Sequence, residues 1–188
     1  MLIYINKYLW IIYMDKIVEA IKSSCIEISQ KFRNTNTFDL GNVTNKINSS
    51  LEDVKKLDDI ANDTLIKNLL KIDLIKYLGS EELDKLLTVN KDGKYLVCFD
   101  PLDGSSNIDI NITTGTIFGI YEYKDGIIKN GHNIVCAGYC LYGSSTQIVI
   151  ADTEVNMYQL FDDNFYLIKK NIKIPKRGKI VSINEGNR

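Results

Sequence analysis

The hydrophobic period of this chain changes near Gly79, and that change limits the folds open to it. Before it, apolar residues recur at mostly helical spacing. Ile17, Val18, Ile21, Ile26 and Ile28 do so between Asp15 and Phe32, and Val54, Leu57, Ile60, Ala61, Leu65 and Leu69 between Leu51 and Leu70. The Asn-, Thr- and Gly-rich residues 34–50 between them read as a loop. After Gly79, short β-runs follow one another: KYLVCF, TIFGIYEY, IVCAGYCLY, TQIVIA, VNMYQLF, FYLIKK and KIVSIN. Two helices followed by six or seven closely spaced strands predict an α+β chain, a layered sandwich with the helices packed on a mostly antiparallel sheet. A length of 188 residues suits one domain, residues 15–188, with an apolar arm over residues 1–14.

Composition narrows the function classes. The formal net charge is −1, so no basic face points to nucleic acid, and an anionic ligand must be held by local geometry or by metal. Cys25, Cys98, Cys136 and Cys140 fit no usual zinc spacing and read as reduced, buried thiols of a cytoplasmic protein. The opening MLIYINKYLWIIYM is too short to span a bilayer and lacks a signal-peptide cleavage site. It reads as an amphipathic helix or packing arm, with a start-site artefact or a membrane anchor as the alternatives. No G-x-S-x-G elbow and no Walker loop is present, which argues against a serine hydrolase and a nucleoside triphosphatase.

The chemistry concentrates in Asp100-Pro101-Leu102-Asp103-Gly104-Ser105-Ser106-Asn107. Strand KYLVCF delivers Asp100 at its C-terminal end, where ligands of α/β proteins commonly bind. Pro101 fixes φ and predicts a turn that brings Asp100 and Asp103 to one side. Two hard carboxylates and a freed carbonyl suit magnesium or manganese rather than zinc. Gly104 allows close approach to the backbone, and Ser105 to Asn107 could open a helix whose N–H groups cradle a phosphate. Taken alone, D-P-x-D could equally be a turn with helix-capping acids. Glu81 and Glu82 could be solvated loop acids, Asp58 an exposed helix acid, and Asn184 a turn residue. His132, in a Lys-Asn-Gly-His-Asn run, reads as an exposed loop residue.

VCFDPLDGSSNID followed by GTIFGIY resembles the signature of the fructose-1,6-bisphosphatase class 1 family, within the lithium-sensitive, metal-dependent phosphatases. DVKKLDDIANDTL, GSEELDKL, AGYCLYGSSTQIVIA and KRGKIVSINEG resemble further family segments, in the same order, over about residues 17–186. The resemblance implies hydrolysis of the 1-phosphate of fructose 1,6-bisphosphate by in-line attack of metal-activated water. It implies Mg²⁺, with Mn²⁺ or Zn²⁺ as other ions, held by Glu81, Asp100, Asp103, the carbonyl of Leu102 and Glu52. Asp58 and Glu82 would orient and deprotonate the water. Asp103 and the backbone of Gly104, Ser105 and Ser106 would receive the 1-phosphate, and Asn184 the 6-phosphate. A sugar bisphosphate substrate, a homo-oligomer (a tetramer in the family), no nucleic acid and no membrane are implied with it.

The sequence also departs from the family pattern. Glu52 stands where the family has aspartate, Glu122 where it has a nucleotide-contacting arginine, and Asn187 where it commonly has tyrosine. The AMP-binding loop has no match before Asp15, although Lys94-Tyr95 is kept, which argues against AMP regulation. The chain stops at Arg188, where the family's C-terminal α/β half begins, so weak or no turnover is expected of it alone. Two other readings stand beside the phosphatase: a truncated, non-catalytic subunit, and a related bisphosphate-sugar or inositol phosphatase.

Overall fold

In a computed structural model the described residues are 2–34, 49–123 and 131–178. Helix α1 spans Leu2–Asn34 and α2 spans Ser49–Leu69. Eight strands follow: β1 Ile75–Ser80, β2 Leu87–Thr88, β3 Tyr95–Asp103, β4 Thr114–Glu122, β5 Ile134–Tyr142, β6 Thr146–Ala151, β7 Val155–Phe161 and β8 Asn164–Lys169. They form one sheet in the order β2-β1-β3-β4-β5-β6-β7-β8. Every pairing is antiparallel except β1 with β3, which is parallel. The expected helices on a mostly antiparallel sheet are present.

Several boundaries differ from expectation. The apolar start and the periodic segment after Asp15 are one continuous helix, because nothing between Met14 and Lys16 breaks the pattern. The stretch read as a loop loses Asn34 to α1 and Ser49–Ser50 to α2. β1 and β2 were not anticipated: β1 buries residues on both faces without clean alternation, and β2 is two residues long. β3 does not stop at Pro101 but runs on to Asp103, with an irregular register against β4 between Asp100 and Asp103. A proline is tolerated there because pairing with β1 ends at Phe99, so no neighbour on that side needs its missing N–H. The expected strand KIVSIN lies outside the described residues.

The core lies between helices and sheet. Ile17, Ile21, Cys25 and Ile28 line one side of α1, and Leu57, Ala61, Leu65 and Leu69 one side of α2. They pack on Leu78, Val97, Phe99, Phe118, Ile120 and Ile148 from the sheet. All four cysteines are free thiols, three of them buried; burial pushes the Cys136 thiol up to about 12. Such thiols are inert packing groups, as expected. Among the described residues no helix is long and apolar enough to cross a membrane.

Polar side chains fix how the layers sit. Ser29 on α1 shares a 2.6 Å hydrogen bond with Thr146 on β6. The buried Asn68 amide on α2 donates to Ser24 Oγ at 3.1 Å and to Glu27 Oε1 at 3.0 Å on α1. Its bond is the main cause holding the Glu27 carboxyl below its ordinary 4.5; partial burial opposes it, and Lys67 and Lys31 assist. A lowered folded-state value means that Glu27 contributes stability above pH 4.5 and loses it as pH falls through that lowered value. Asn68→Ala is expected to lower the unfolding free energy by about 1–3 kcal/mol at pH 7, read by urea denaturation. The gap between variant and parent should narrow on titration below pH 4.5.

Candidate active site

The parallel pairing of β1 and β3 sets Ser80 beside Phe99, so both strands leave the sheet at one edge. The Glu81 N–H extends that pairing by one bond, donating to the Phe99 carbonyl at 3.0 Å. Glu81 and Glu82 therefore emerge next to Asp100. Beneath them α2 contributes Asp58, half-buried, while Glu81, Glu82 and Asp103 are exposed. A cleft of about 480 Å³ opens beside the acids, lined by Glu81, Cys98, Asp100, Ile117, Gly119 and Tyr121 among others.

The DPLD segment is held from both ends. Asp100 Oδ1 accepts the Leu102 N–H at 3.0 Å, which closes a local turn inside the strand. The Thr116 hydroxyl donates to the Pro101 carbonyl at 2.8 Å. Thr116 has one hydroxyl proton, so the 2.7 Å contact between Thr116 and Tyr142 must use the Tyr142 proton. Pro101 and Leu102 are buried, whereas Asp103 turns out to solvent. Gly104 follows with φ 78°, in the left-handed region that an L side chain adopts only with strain. A short 3₁₀ turn, Ser105–Ile110, comes next, in place of the expected helix. The Ser105 hydroxyl reaches back to the Asp58 carboxylate and so joins the turn to α2.

The acids feel one another. Asp58 is pushed above its ordinary value by burial first, then by Asp100, Glu81 and Asp59, against the Ser105 hydrogen bond. Asp100 is raised by burial and by Glu81 and Asp103, against the Leu102 N–H. Glu82 is raised by burial, then by Asp58 and Glu81. Crowded carboxylates at a cleft mouth form an acidic site whose mutual repulsion a cation relieves. Their donors are hard oxygens. The one thiol in the lining, Cys98, is pushed up by burial and so keeps its proton. Among the described residues no three His, Cys, Asp or Glu side chains stand close enough to close a coordination sphere by themselves. Such donors suit a hard divalent cation whose remaining positions are filled by water and phosphate oxygens.

Of the residues singled out from the sequence, Asp58, Glu81, Glu82, Asp100, Leu102, Asp103, Gly104, Ser105 and Ser106 lie at this one end of the sheet. Glu52 lies in the first turns of α2, where only the backbone is described, and Asn184 and Asn187 lie outside the described residues. His132 is exposed in a short 3₁₀ turn, as expected. Two residues at the site escaped the sequence reading: Asn62, four after Asp58, and Ser80, directly before Glu81. The signal for Asn62 was an amide inside the apolar stripe of α2. Gly104→Ala is expected to introduce about 1–2 kcal/mol of backbone strain, lowering the melting temperature by about 2–8 °C in a calorimetric scan.

The family model "Fructose-1-6-bisphosphatase, N-terminal domain" matches residues 12–169 of this chain. The cytosolic fructose-1,6-bisphosphatase of Solanum tuberosum is 47% identical over 148 residues, 72% of this chain and 44% of that protein. The class 1 fructose-1,6-bisphosphatase of Sulfurihydrogenibium is 40% identical over 190 residues, 93% of this chain and 57% of that protein. The chain thus spans about half the length of the curated relatives it matches. The crystal structure of Leishmania major fructose-1,6-bisphosphatase in holo form superposes with a TM-score of 0.78 at 33% identity, covering 93% of this chain and 58% of that one.

Proposed function

The chain belongs to the fructose-1,6-bisphosphatase family, and from that premise we propose that it carries the metal and 1-phosphate end of a fructose-1,6-bisphosphate 1-phosphatase. The observation that carries this reading is the placing of Glu81–Glu82, Asp100–Asp103 and Asp58 at one end of the sheet beside the left-handed turn at Gly104. The family is metal-dependent; Mg²⁺ is the ion proposed here, supported by the all-oxygen donors and by a protonated Cys98 that makes zinc a poorer fit. On the resemblance, its ligands would be drawn from Glu81, Asp100, Asp103 and the Leu102 carbonyl, one or two carboxylates to an ion, with water and phosphate oxygens completing the shell. When bound, the cation neutralises charge on the transferring phosphoryl group and acidifies water.

The chain's own groups do the rest. Asp58 and Glu82 are raised carboxylates, which makes each a better proton acceptor than an ordinary acid. In this reading they align the attacking water and take its proton. The backbone of Gly104 to Ser106 offers N–H groups to the phosphate, and the lack of a Cβ at Gly104 admits the anion closely. Glu52 and Asn184 are proposed as a further metal ligand and a 6-phosphate contact, on the resemblance alone. A homo-oligomer and a cytosolic setting belong to the same proposal, the latter supported by the cytosolic relatives.

The test pairs metal binding with phosphate release. Asp100→Ala is expected to weaken Mn²⁺ binding at least about tenfold, measured by electron paramagnetic resonance of the free ion. Any release of phosphate from fructose 1,6-bisphosphate by the parent chain should disappear in that variant and with EDTA. The parent rate is expected below about 1 s⁻¹, under the usual range for a complete enzyme. Mn²⁺ binding unchanged by Asp100→Ala would overturn the ligand assignment, and phosphate release that survives EDTA would overturn metal dependence.

A further inference from the structure

We infer that the buried Asn62–Ser80 pair is a positioning device that sets the spacing between Asp58 and the Glu81–Glu82 acids. The inference rests on the metal-dependent reading above and extends it to residues that touch neither metal nor substrate in that reading.

The geometry is a short relay. Ser80 Oγ donates to Asn62 Oδ1 at 2.7 Å, and the same oxygen accepts the Glu82 N–H at 3.2 Å. Both residues are 8% exposed, so the bond between them is shielded from water. The hydroxyl has one proton and it is committed to Asn62, so the Glu82 N–H must meet a lone pair. The relay therefore runs in one direction, from the Glu82 backbone through Ser80 to helix α2.

Its position gives it a task. Asp58 lies four residues before Asn62, one turn up the same helix face. Glu81 and Glu82 directly follow Ser80, at the point where β1 leaves the sheet. One buried bond thus ties the element bearing Asp58 to the segment bearing the paired glutamates. Asp58 on one side and Glu81 and Glu82 on the other are all acids, so the two segments carry like charge toward one another. Apolar packing of Ala61 and Leu65 beneath them is non-directional and resists a sideways slip weakly. A directional bond resists it, and it acts between the two segments that must stay in register. The Ser80 hydroxyl is turned toward α2, with its proton given to Asn62 and a lone pair to the Glu82 N–H. Its effect on metal is through Glu81 and Glu82 alone.

The test uses the whole 188-residue chain and Mn²⁺ as probe, with circular dichroism beside each titration. Ser80→Ala and Asn62→Ala should each weaken Mn²⁺ binding about 10–100-fold while keeping the parent's far-ultraviolet spectrum. The double variant should bind no worse than the weaker single, because the two residues share one bond. Ser80→Thr keeps the hydroxyl and should return binding to within about threefold of the parent. Should Ser80→Ala not fold, Asn62→Ala with Ser80→Thr decides in its place. Parent-like Mn²⁺ binding in the folded single variants, or losses that add in the double variant, would overturn the inference alone. No Mn²⁺ binding by the parent would overturn the metal reading, and this inference with it.

Discussion

The register of β1 against β3 is the constraint on which the site depends. These two strands are the parallel pair in a sheet that is otherwise antiparallel, so their C-terminal ends point the same way. Ser80 lies beside Phe99, and the next residues of both strands are acids. A hairpin connection would have sent the second strand's acids to the opposite edge. Here the chain leaves β1, crosses by way of the two-residue β2, and returns to start β3 at the far end. A slip of one residue would turn Phe99 away from the core and Asp100 into it. Burying Phe99 against Leu78 and Phe118 therefore fixes the position of the carboxylates. Hydrophobic packing sets the register of these strands, and their acids follow it.

That geometry sets acids where they repel. Asp58, Glu82 and Asp100 are each raised by burial and by neighbouring carboxylates, Glu81 among them every time, so their negative charge costs the folded chain free energy. Proteins keep such clusters where a cation or a proton is handled, because the cluster's cost becomes binding energy when positive charge arrives. The fold offsets part of that cost with donors aimed at the carboxylates. Ser105 serves Asp58, and the Leu102 N–H serves Asp100. These bonds also shape the DPLD turn, so the same contacts that ease repulsion align the Leu102–Gly104 backbone.

Much of this was legible in the sequence, and the parts that were not have physical reasons. The α2 stripe announces itself by one buried face, and the strands β4 to β7 by runs of β-branched and aromatic residues with turn residues between most of them. β1 does not, since Ile75, Leu78 and Ser80 are buried without a period of two. Pro101 misled because proline usually ends a strand, and here the partner strand had already ended. The acids of the site were read through family resemblance; composition alone leaves Glu81 and Glu82 as ordinary loop residues. Asn62 and Ser80 went unassigned for a different reason. Their roles are relational: each matters only because the other lies across a layer boundary, 18 residues away in sequence.

The same device recurs between helix and sheet and between the two helices. Ser29 meets Thr146, Asn68 meets Ser24 and Glu27, Lys31 meets Thr64, and Ser80 meets Asn62. Among the described residues no buried side-chain nitrogen or oxygen lacks a partner. An apolar interface of Ile and Leu tolerates several nearly equal packings, whereas each of these directional contacts is satisfied in one alignment. The pins therefore select a single arrangement of layers from those the core would accept. Three of them tie α1 to its neighbours and carry no chemistry. The fourth lies directly under the acidic cluster, where a small shift of α2 relative to β1 would change the spacing of the carboxylates. Selecting one alignment there serves the site as much as the fold.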